Sequence, residues 1–249
     1  MSEKPVFHVP WQFRRGGKRA NQRKSIDSGR WLLEYMAQQF NYDDLGKLAL
    51  LDMGCGVKFT QAIMEYSIPI KHYVGIDVNR EMIDFLLENV DDERFEYHHA
   101  DIHNAMYNTR GIPLESYPGL PVGDQKFDVI CLYSVFTHLA PHDYPLMLKL
   151  LRRYIKPDGK LIYTLFINEH TKTGHGLIDV LTRDLRPGPA SGYEPPPFED
   201  LDKDQPLRWA VYSRAHALEL LADTGWKIEC LNQPIESGQI AHHFICTPH

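Results

Sequence analysis

The chain has 249 residues, of which 43% are hydrophobic and 24% charged, which is typical of a soluble protein with one large or two small domains. Its formal net charge of −6 gives no overall electrostatic case for binding nucleic acid or an anionic membrane surface. The four cysteines are widely spaced and form no CxxC pair, which predicts buried thiols rather than a disulfide framework or a zinc site.

Residues 1–25 are predicted to form a basic N-terminal arm. Its first residues include no apolar stretch typical of a secretory leader, and no run of the chain reaches transmembrane length, so we expect a cytoplasmic protein with no membrane partner. We interpret the arm either as a solvated, mobile segment or as a basic lid over an anionic ligand. Its basic residues are Arg14, Arg15, Lys18, Arg19, Arg23 and Lys24.

Strands and helices alternate over residues 26–249, which we expect to form a single domain. A helix is predicted over 26–40, and further helices are expected to be capped by Asn79, Asp143 and Ser213. The alternation predicts an α/β, Rossmann-like doubly wound sheet of seven mostly parallel strands. The last two strands are joined too closely for a crossover helix and should pair antiparallel. The predicted strands are 48–52, 72–77, 94–99, 127–133, 159–167, 226–232 and 241–247.

One turn and two insertions separate the predicted elements. The Pro157-Asp158-Gly159 sequence predicts a turn before the fifth strand. Two insertions, at about 104–126 and 183–209, are too rich in proline for regular elements. Long loops in compact domains commonly cover functional sites, so we expect the second insertion to close over a ligand.

An acidic turn punctuated by glycines follows the first predicted strand, where residues 50–56 read LLDMGCG. Gly54 and Gly56 allow a sharp turn and the close approach of a ligand. Asp52 is interpreted either as a cap of the next helix or as a residue that orders the loop and meets a polar part of the ligand. The second predicted strand ends in Asp77, where a carboxylate can accept hydrogen bonds from a ribose diol.

A third acid, Asp101, follows the third predicted strand together with Ile102. There, a carboxylate could accept from an adenine amino group while Ile102 packs on the ring, although Asp101 alone would suit an ordinary surface loop. The carboxyl ends of neighbouring parallel strands meet at one edge of a sheet, where such folds bind ligands. Three acids at successive strand ends therefore predict a cofactor that contains adenosine.

These motifs come in the order found in class I S-adenosylmethionine-dependent methyltransferases, which the chain resembles from about residue 26 onward. The resemblance rests on LLDMGCG (50–56), VGID (74–77), ADI (100–102), FDVI (127–130) and LRRYIKPDG (151–159). It implies S-adenosylmethionine as cofactor, with the glycines at its methionine part, Asp77 at its ribose, and Asp101 and Ile102 at its adenine. The cofactor contacts implied are Asp52, Gly54, Gly56, Asp77, Val78, Asp101, Ile102 and Ser134.

Residues 132–139, LYSVFTHL, resemble a bacterial subgroup whose fourth strand ends in Ser-Val-Phe-Thr-His, some members of which act on sugar hydroxyls. This narrower resemblance implies methyl transfer to a hydroxyl of a small molecule, including a sugar or glycan. His138 is the candidate general base, because a neutral imidazole can take a proton from a hydroxyl near pH 7. The other interpretation of His138 is a histidine packed at a helix start.

Lys58 replaces the third glycine of the family's turn. It is interpreted as reaching the cofactor's carboxylate, pointing to solvent, or narrowing the pocket, and the last reading supports a non-catalytic cofactor-binding protein of the same fold. An NAD(P)-dependent oxidoreductase is a further alternative. Against it, Phe59 stands at the last glycine of the Gly-x-Gly-x-x-Gly fingerprint, and Asp52 and Asp101 would have no role.

Polar residues after the fifth predicted strand are interpreted as a solvated loop, as substrate contacts or a second base, or as ligands of a divalent ion, although their spacing matches no strong metal motif. They are Glu169, His170, His175 and Asp179. His242 and His243 are expected to be structural. The basic arm leaves an RNA acceptor open, but the net charge favours a small molecule.

Overall fold

A sheet of nine strands organises the computed structural model, which describes residues 7–14, 21–183, 195–235 and 239–249. The strands are β1 (Ala49–Met53), β2 (His72–Asp77), β3 (Phe95–His99), β4 (Phe127–Leu132), β5 (Ile155–Ile167), β6 (Phe198–Asp200), β7 (Ala210–Tyr212), β8 (Trp226–Asn232) and β9 (His242–Pro248). The helices are α1 (Gln22–Phe40), α2 (Lys58–Glu65), α3 (Arg80–Asn89), α4 (Asp143–Arg152), α5 (Leu177–Thr182) and α6 (Arg214–Leu221).

The predicted α/β fold is confirmed. Strands β3, β2, β1, β4 and β5 lie side by side in that order, and every neighbouring pair among them is parallel. Strand β9 pairs antiparallel with both β5 and β8, as the short connection between the last two strands predicted. The carboxyl ends of β1 to β4 therefore share one edge of the sheet.

The predicted number of strands was wrong, because the second insertion contains a hairpin of its own. Strands β6 and β7 pair antiparallel, and β7 continues the sheet by pairing parallel with the end of β5, where Phe166 is opposite Val211. Both strands have only three residues, and this falls below the length at which alternating polarity is informative. The part of this insertion over 184–194 lies outside the described residues.

The capping predictions hold for Asn79 and Ser213, whose side chains accept from the main-chain N–H groups three residues ahead. Asp143 is instead the first residue of α4, and the preceding His142 makes no side-chain cap. The expected turn over 157–159 belongs to β5, at an irregular stretch where the register with β4 shifts. A Cβ at Gly159 would lie 2.7 Å from Ile155, so the glycine serves close packing there.

Residues 7–13 of the N-terminal arm pack onto the domain through two phenylalanines and do not form a detached, solvated arm. Phe7 and Phe13 are buried, with ring centroids 5.7 and 5.1 Å from that of Phe85 on α3. Helix α1 begins at Gln22, within the expected arm, because Asn21 caps it by accepting from Lys24. Arg15, Lys18 and Arg19 lie outside the described residues.

Helices cover both faces of the sheet, with α1, α2 and α3 on one face and α4 and α6 on the other. Helix α1 approaches α2 at Gly29, where a Cβ would lie 2.8 Å from the carbonyl oxygen of Lys58 and 2.9 Å from its Cγ. This contact holds the start of α2 against α1. Within the described parts of the chain, no helix has both the length and the apolar character of a membrane span.

Candidate active site

A cavity of about 980 Å³ opens at the carboxyl edge of the sheet. Its walls come from the segments that follow β1, β2, β3 and β4, from the end of β5, from α1, and from the connection between β6 and β7. This volume lies at the upper end of the range for small-molecule sites. The segments predicted to bind a ligand thus surround one space.

The glycine loop (residues 54–57, between β1 and α2) contains two residues with positive φ, Gly54 at 75° and Gly56 at 52°. A Cβ on Gly54 would lie 2.4 Å from Cγ2 of Val135, so only glycine fits between the ends of β1 and β4. A Cβ on Gly56 would meet nothing within 4 Å. The main chain at Gly56 is therefore open to a ligand in the cavity.

Asp77 is fixed at the cavity edge by the main chain. Its Oδ2 accepts from the N–H of Gly56 at 3.1 Å, and its Oδ1 accepts from the N–H of Asn79 at 2.9 Å. The carboxylate thereby ties the glycine loop to the end of β2. Val78, half-buried, lines the cavity beside it. Both residues line the cavity, and their contact with a cofactor stays a prediction.

Asp52 lies on the floor of the cavity and is 3% exposed. Its Oδ2 accepts from the hydroxyl of Tyr73 at 2.7 Å, and the thiol of Cys131 donates to Oδ1 at 3.4 Å. Burial raises the pKa of Asp52 to about 7, against the lowering effect of the Tyr73 hydrogen bond. Asp52 does not cap α2, whose N-cap is Val57, and both its oxygens are engaged beneath the loop.

The two residues expected at an adenine ring separate in the structure. Ile102 is buried and lines the cavity. Asp101 is exposed and is not part of the cavity wall, because its Oδ1 accepts from the side-chain amide of Asn108 at 2.9 Å. Asn108 belongs to the first insertion, whose contacts no local motif reveals. His103 and Asn104 line the cavity at this point instead.

Lys58 is the first residue of α2 and lines the cavity. Its stem packs against Gly29, and its charge helps to lower the pKa of Asp52. Lys58 thus lies at the cavity, and the three interpretations of its ammonium group stay predictions.

The segment after β4 brings Ser134 and His138 to the cavity. Ser134 has a φ of 60°, and its N–H donates to the hydroxyl of Thr164 at 2.8 Å. A left-handed conformation at a residue other than glycine costs about 1–3 kcal/mol and is common at functional sites. This bend directs the chain into the short 3-10 turn Phe136–His138.

The His138 ring is packed and also lines the cavity, so the structure is compatible both with a packing role and with a role as general base. Its Nδ1 lies 3.1 Å from the carbonyl oxygen of Leu207, which can only accept. In the neutral ring the bond to Leu207 places the proton on Nδ1, which leaves Nε2 as the basic nitrogen. Burial lowers the pKa of His138 below its usual 6.5, against the raising effect of hydrogen bonds to the main chain of Leu207 and Arg208, and this favours the neutral form at pH 7.

Sequence reasoning missed the hairpin loop (residues 201–209, between β6 and β7). In this loop the N–H of Leu207 donates to Oδ2 of Asp200 at 2.7 Å, and Leu207 has a φ of 58°. Three of its residues, Gln205, Arg208 and Trp209, line the cavity. The signal available in the sequence was the acid spacing Asp200-x-Asp202-x-Asp204, typical of turns stabilised by side chains, followed by a cation and an aromatic residue.

The polar residues after β5 form ion pairs away from the cavity. Glu169 accepts from Nε of Arg214 and from Nε2 of His242, both at 2.9 Å, and His170 pairs with Asp179 at 2.8 Å. Burial acts to raise the pKa of Glu169, but these two donors lower it overall. Within the described ranges, no group of three or more His, Cys, Asp or Glu side chains is arranged to hold a metal ion. His175 does not line the cavity either.

His242 and His243 are buried in β9, which agrees with a structural position.

Residues 51–163 match the sequence model of a methyltransferase domain. A probable thiol methyltransferase of Arabidopsis thaliana is 24% identical over 159 residues, and the match covers 57% of this chain and 64% of that protein's length.

Two solved structures share the architecture. Magnesium protoporphyrin IX methyltransferase from Synechocystis PCC 6803, solved with bound S-adenosylhomocysteine, gives a TM-score of 0.57 at 15% identity, over 95% of this chain and 89% of that one. The glycopeptide N-methyltransferase MtfA gives a TM-score of 0.56 at 10% identity, over 90% of each chain. At these identities the likeness concerns the fold, which is the Rossmann-like methyltransferase fold.

Proposed function

We propose that this chain, which has the class I methyltransferase fold, is an S-adenosylmethionine-dependent methyltransferase acting on an oxygen atom of a small molecule. The observation that carries the proposal is one shared cavity. The glycine loop, Asp77 and His138 all line it, and they come from three different strand ends. The match of residues 51–163 to a methyltransferase domain includes all three.

The residues of the cavity fit this cofactor. The main chain at Gly56 has open space beside it, Asp77 supplies a carboxylate for the ribose hydroxyls, and Ile102 offers a buried apolar surface to adenine. A nicotinamide dinucleotide fits less well. Phe59, 3% exposed, occupies the position where the dinucleotide fingerprint needs a small residue for close packing.

When bound, S-adenosylmethionine supplies a methyl carbon to which the acceptor oxygen bonds while the carbon–sulfur bond breaks, its electron pair remaining on sulfur. His138 accepts the hydroxyl proton at Nε2, because Nδ1 is held by the carbonyl of Leu207. The cavity walls hold the acceptor in line and exclude water, which is the main contribution a protein makes to such a displacement.

The choice of oxygen rests on His138 and on the resemblance of residues 134–138. The Arabidopsis relative is named for thiols and MtfA for nitrogen, so the acceptor atom is the part of the proposal that product analysis must test. A saccharide hydroxyl stays a prediction from the same resemblance. A non-catalytic role predicts cofactor binding without turnover.

Calorimetric titration with S-adenosylhomocysteine tests the cofactor assignment, with NADH and NADPH as comparison ligands. We expect selective binding of S-adenosylhomocysteine, and a folded protein that fails to bind it would overturn the proposal. Asp77→Ala should weaken binding about tenfold or more, because hydrogen bonds to a charged group contribute about 1.5–3 kcal/mol. Asp84→Ala, which removes an exposed carboxylate of α3, is the matched control and should change nothing.

A further inference from the structure

Aromatic side chains form one side of the cavity around His138 and the hairpin loop. The rings of Phe166 and Trp209 lie 6.4 Å apart at 45°, and Tyr107 presents its ring to His138 at 6.1 Å in an edge arrangement. Tyr107 lines the cavity and is 39% exposed, so part of its ring is accessible to a ligand. Such walls suit a flat, apolar molecule.

The hairpin loop presents its residues on a hydrogen-bonded frame. Asp200 accepts from Leu207, Oδ1 of Asp202 accepts from the N–H of Gln205 at 3.1 Å, and the N–H of Arg208 donates to the carbonyl of Gln205 at 3.1 Å. The N–H of Leu201 donates to the carbonyl of Trp209 at 3.1 Å, which closes the loop at its base. Gln205, Arg208 and Trp209 thus belong to a preformed surface, which lowers the entropy cost of binding.

Arg208 provides the positive charge of this surface. Its Nη1 lies 3.3 Å from Oδ2 of Asp202, a contact through one nitrogen, and its side chain is 47% exposed. A guanidinium has five N–H donors in a planar fork that matches a carboxylate through two parallel bonds. An exposed pair of this kind contributes little, so a ligand carboxylate can compete with Asp202 for the fork.

The loop also brings this charge and the base to the same cavity. Leu207, whose carbonyl accepts from His138, directly precedes Arg208 in the chain, and both His138 and Arg208 line the cavity. A flat ligand in this part of the cavity would have one polar group at Arg208 and another at His138, with its faces against Trp209 and Phe166.

We infer, resting on the function proposed above, that the acceptor is a hydroxylated aromatic carboxylate whose carboxylate binds Arg208 and whose hydroxyl faces His138. A saccharide fits the ring faces of Phe166 and Trp209 less well, because each of its hydroxyls needs a hydrogen-bonding partner when buried. The further polar lining residues His103, Asn104 and Ser134 lie beside or among the predicted cofactor contacts.

Calorimetry on the protein saturated with S-adenosylhomocysteine tests this inference directly. The probes are 2-, 3- and 4-hydroxybenzoate, their uncharged methyl esters, and methyl α-glucoside. We expect at least one hydroxybenzoate to bind about tenfold or more tightly than its ester, which is the contribution of one bidentate Arg–carboxylate contact. Methyl α-glucoside should not bind.

Variants of the hairpin loop separate charge from shape. Arg208→Gln should remove the preference for acid over ester, and Arg208→Lys should restore only part of it because it lacks the fork. Lys203→Gln is the matched control, since Lys203 is exposed on the same loop, does not line the cavity and carries the same charge. Trp209→Leu should weaken acid and ester equally. Circular dichroism on each variant establishes that it is folded.

Three results would overturn the inference. They are binding of none of the hydroxybenzoates, tighter binding of methyl α-glucoside, or an unchanged acid-to-ester ratio in folded Arg208→Gln. In each case a retained S-adenosylhomocysteine titration leaves the proposed function standing. Failure of that first titration is instead a failure of the proposed function itself.

Discussion

The glycine loop and the hairpin loop line one cavity, but they are built in different ways. The glycine loop is held by the neighbouring strand, because the N–H of Gly54 donates to the carbonyl of Ile76 at 2.7 Å and the N–H of Gly56 donates to Asp77. The hairpin loop is held by contacts among its own residues, chiefly those of the Asp200 and Asp202 side chains. The first depends on the sheet, and the second on an insertion added to its edge.

This difference has a consequence for function. A loop held by the strands of the sheet lies where open α/β sheets bind their ligands, which suits a cofactor. A loop fixed by its own side chains can change without disturbing the core, which suits the recognition of a particular acceptor. His138 connects the two regions, because it follows β4 of the sheet and its Nδ1 contacts Leu207 of the hairpin loop.

The largest effect should come from breaking that connection. We expect His138→Gln to lower kcat by about 10²–10⁴-fold, the usual contribution of a general base. Binding of S-adenosylhomocysteine should be unchanged, because the glycine loop does not depend on this ring. Single-turnover kinetics and calorimetry measure the two quantities separately.

The pH profile adds a check on the role of His138. Burial lowers its pKa below 6.5, and the base is active when neutral, so the rate should fall only as the pH drops below that value. This acid limb should disappear in His138→Gln. His142→Gln is the matched control, since His142 is exposed and pairs with Glu115. A full rate in His138→Gln would remove the ring from the chemistry.

The glycine loop and the parallel strands around it could be predicted from the sequence. Continuous apolar runs, glycines and acids at strand ends are local patterns, and they located the ends of β1, β2 and β4 to within one residue. The roles predicted for Asp52 and Asp101 stay predictions, because partners outside the local pattern hold their side chains. Asp101 accepts from Asn108, and the oxygens of Asp52 accept from Tyr73 and Cys131.

The hairpin loop could not be predicted in the same way. Strands of three residues carry no readable alternation, and the proline-rich composition of the second insertion predicted a loop without strands. That Leu207 would meet His138, 69 positions earlier, depends on how the hairpin adds to β5. Only the expectation that this insertion covers a ligand site pointed toward its role, and Gln205, Arg208 and Trp209 agree with it.

The two glycines of the glycine loop offer a matched pair for the cofactor side. Gly54→Ala should destabilise the fold by about 2–4 kcal/mol, because it combines a left-handed backbone with overpacking against Val135. Gly56→Ala carries only the backbone cost of about 1–2 kcal/mol, since its Cβ has open space. Urea denaturation measures both.

Binding should reverse that order. If the cofactor lies beside Gly56, the methyl group that Gly56→Ala adds to the main chain intrudes on the ligand. This variant should therefore lose more affinity for S-adenosylhomocysteine than its loss of stability predicts. Neither variant should change the acid-to-ester preference, which belongs to the hairpin loop. Equal losses of stability in the two variants would contradict the packing described at Val135.

The smallest effect should come from the support of the hairpin loop. Asp200→Ala removes the acceptor for the N–H of Leu207, a contribution of about 1 kcal/mol, and frees a peptide held at a φ of 58°. The carbonyl that orients His138 would then be less well fixed, so kcat should fall about five- to tenfold while affinity for S-adenosylhomocysteine stays unchanged. Asp200→Asn keeps an accepting oxygen and should recover most of the rate, whereas Asp204→Ala, on the same loop but exposed, should have no effect. A loss of cofactor affinity in Asp200→Ala would mean that the glycine loop and the hairpin loop are coupled. The hairpin loop would then not be an independent addition to the sheet.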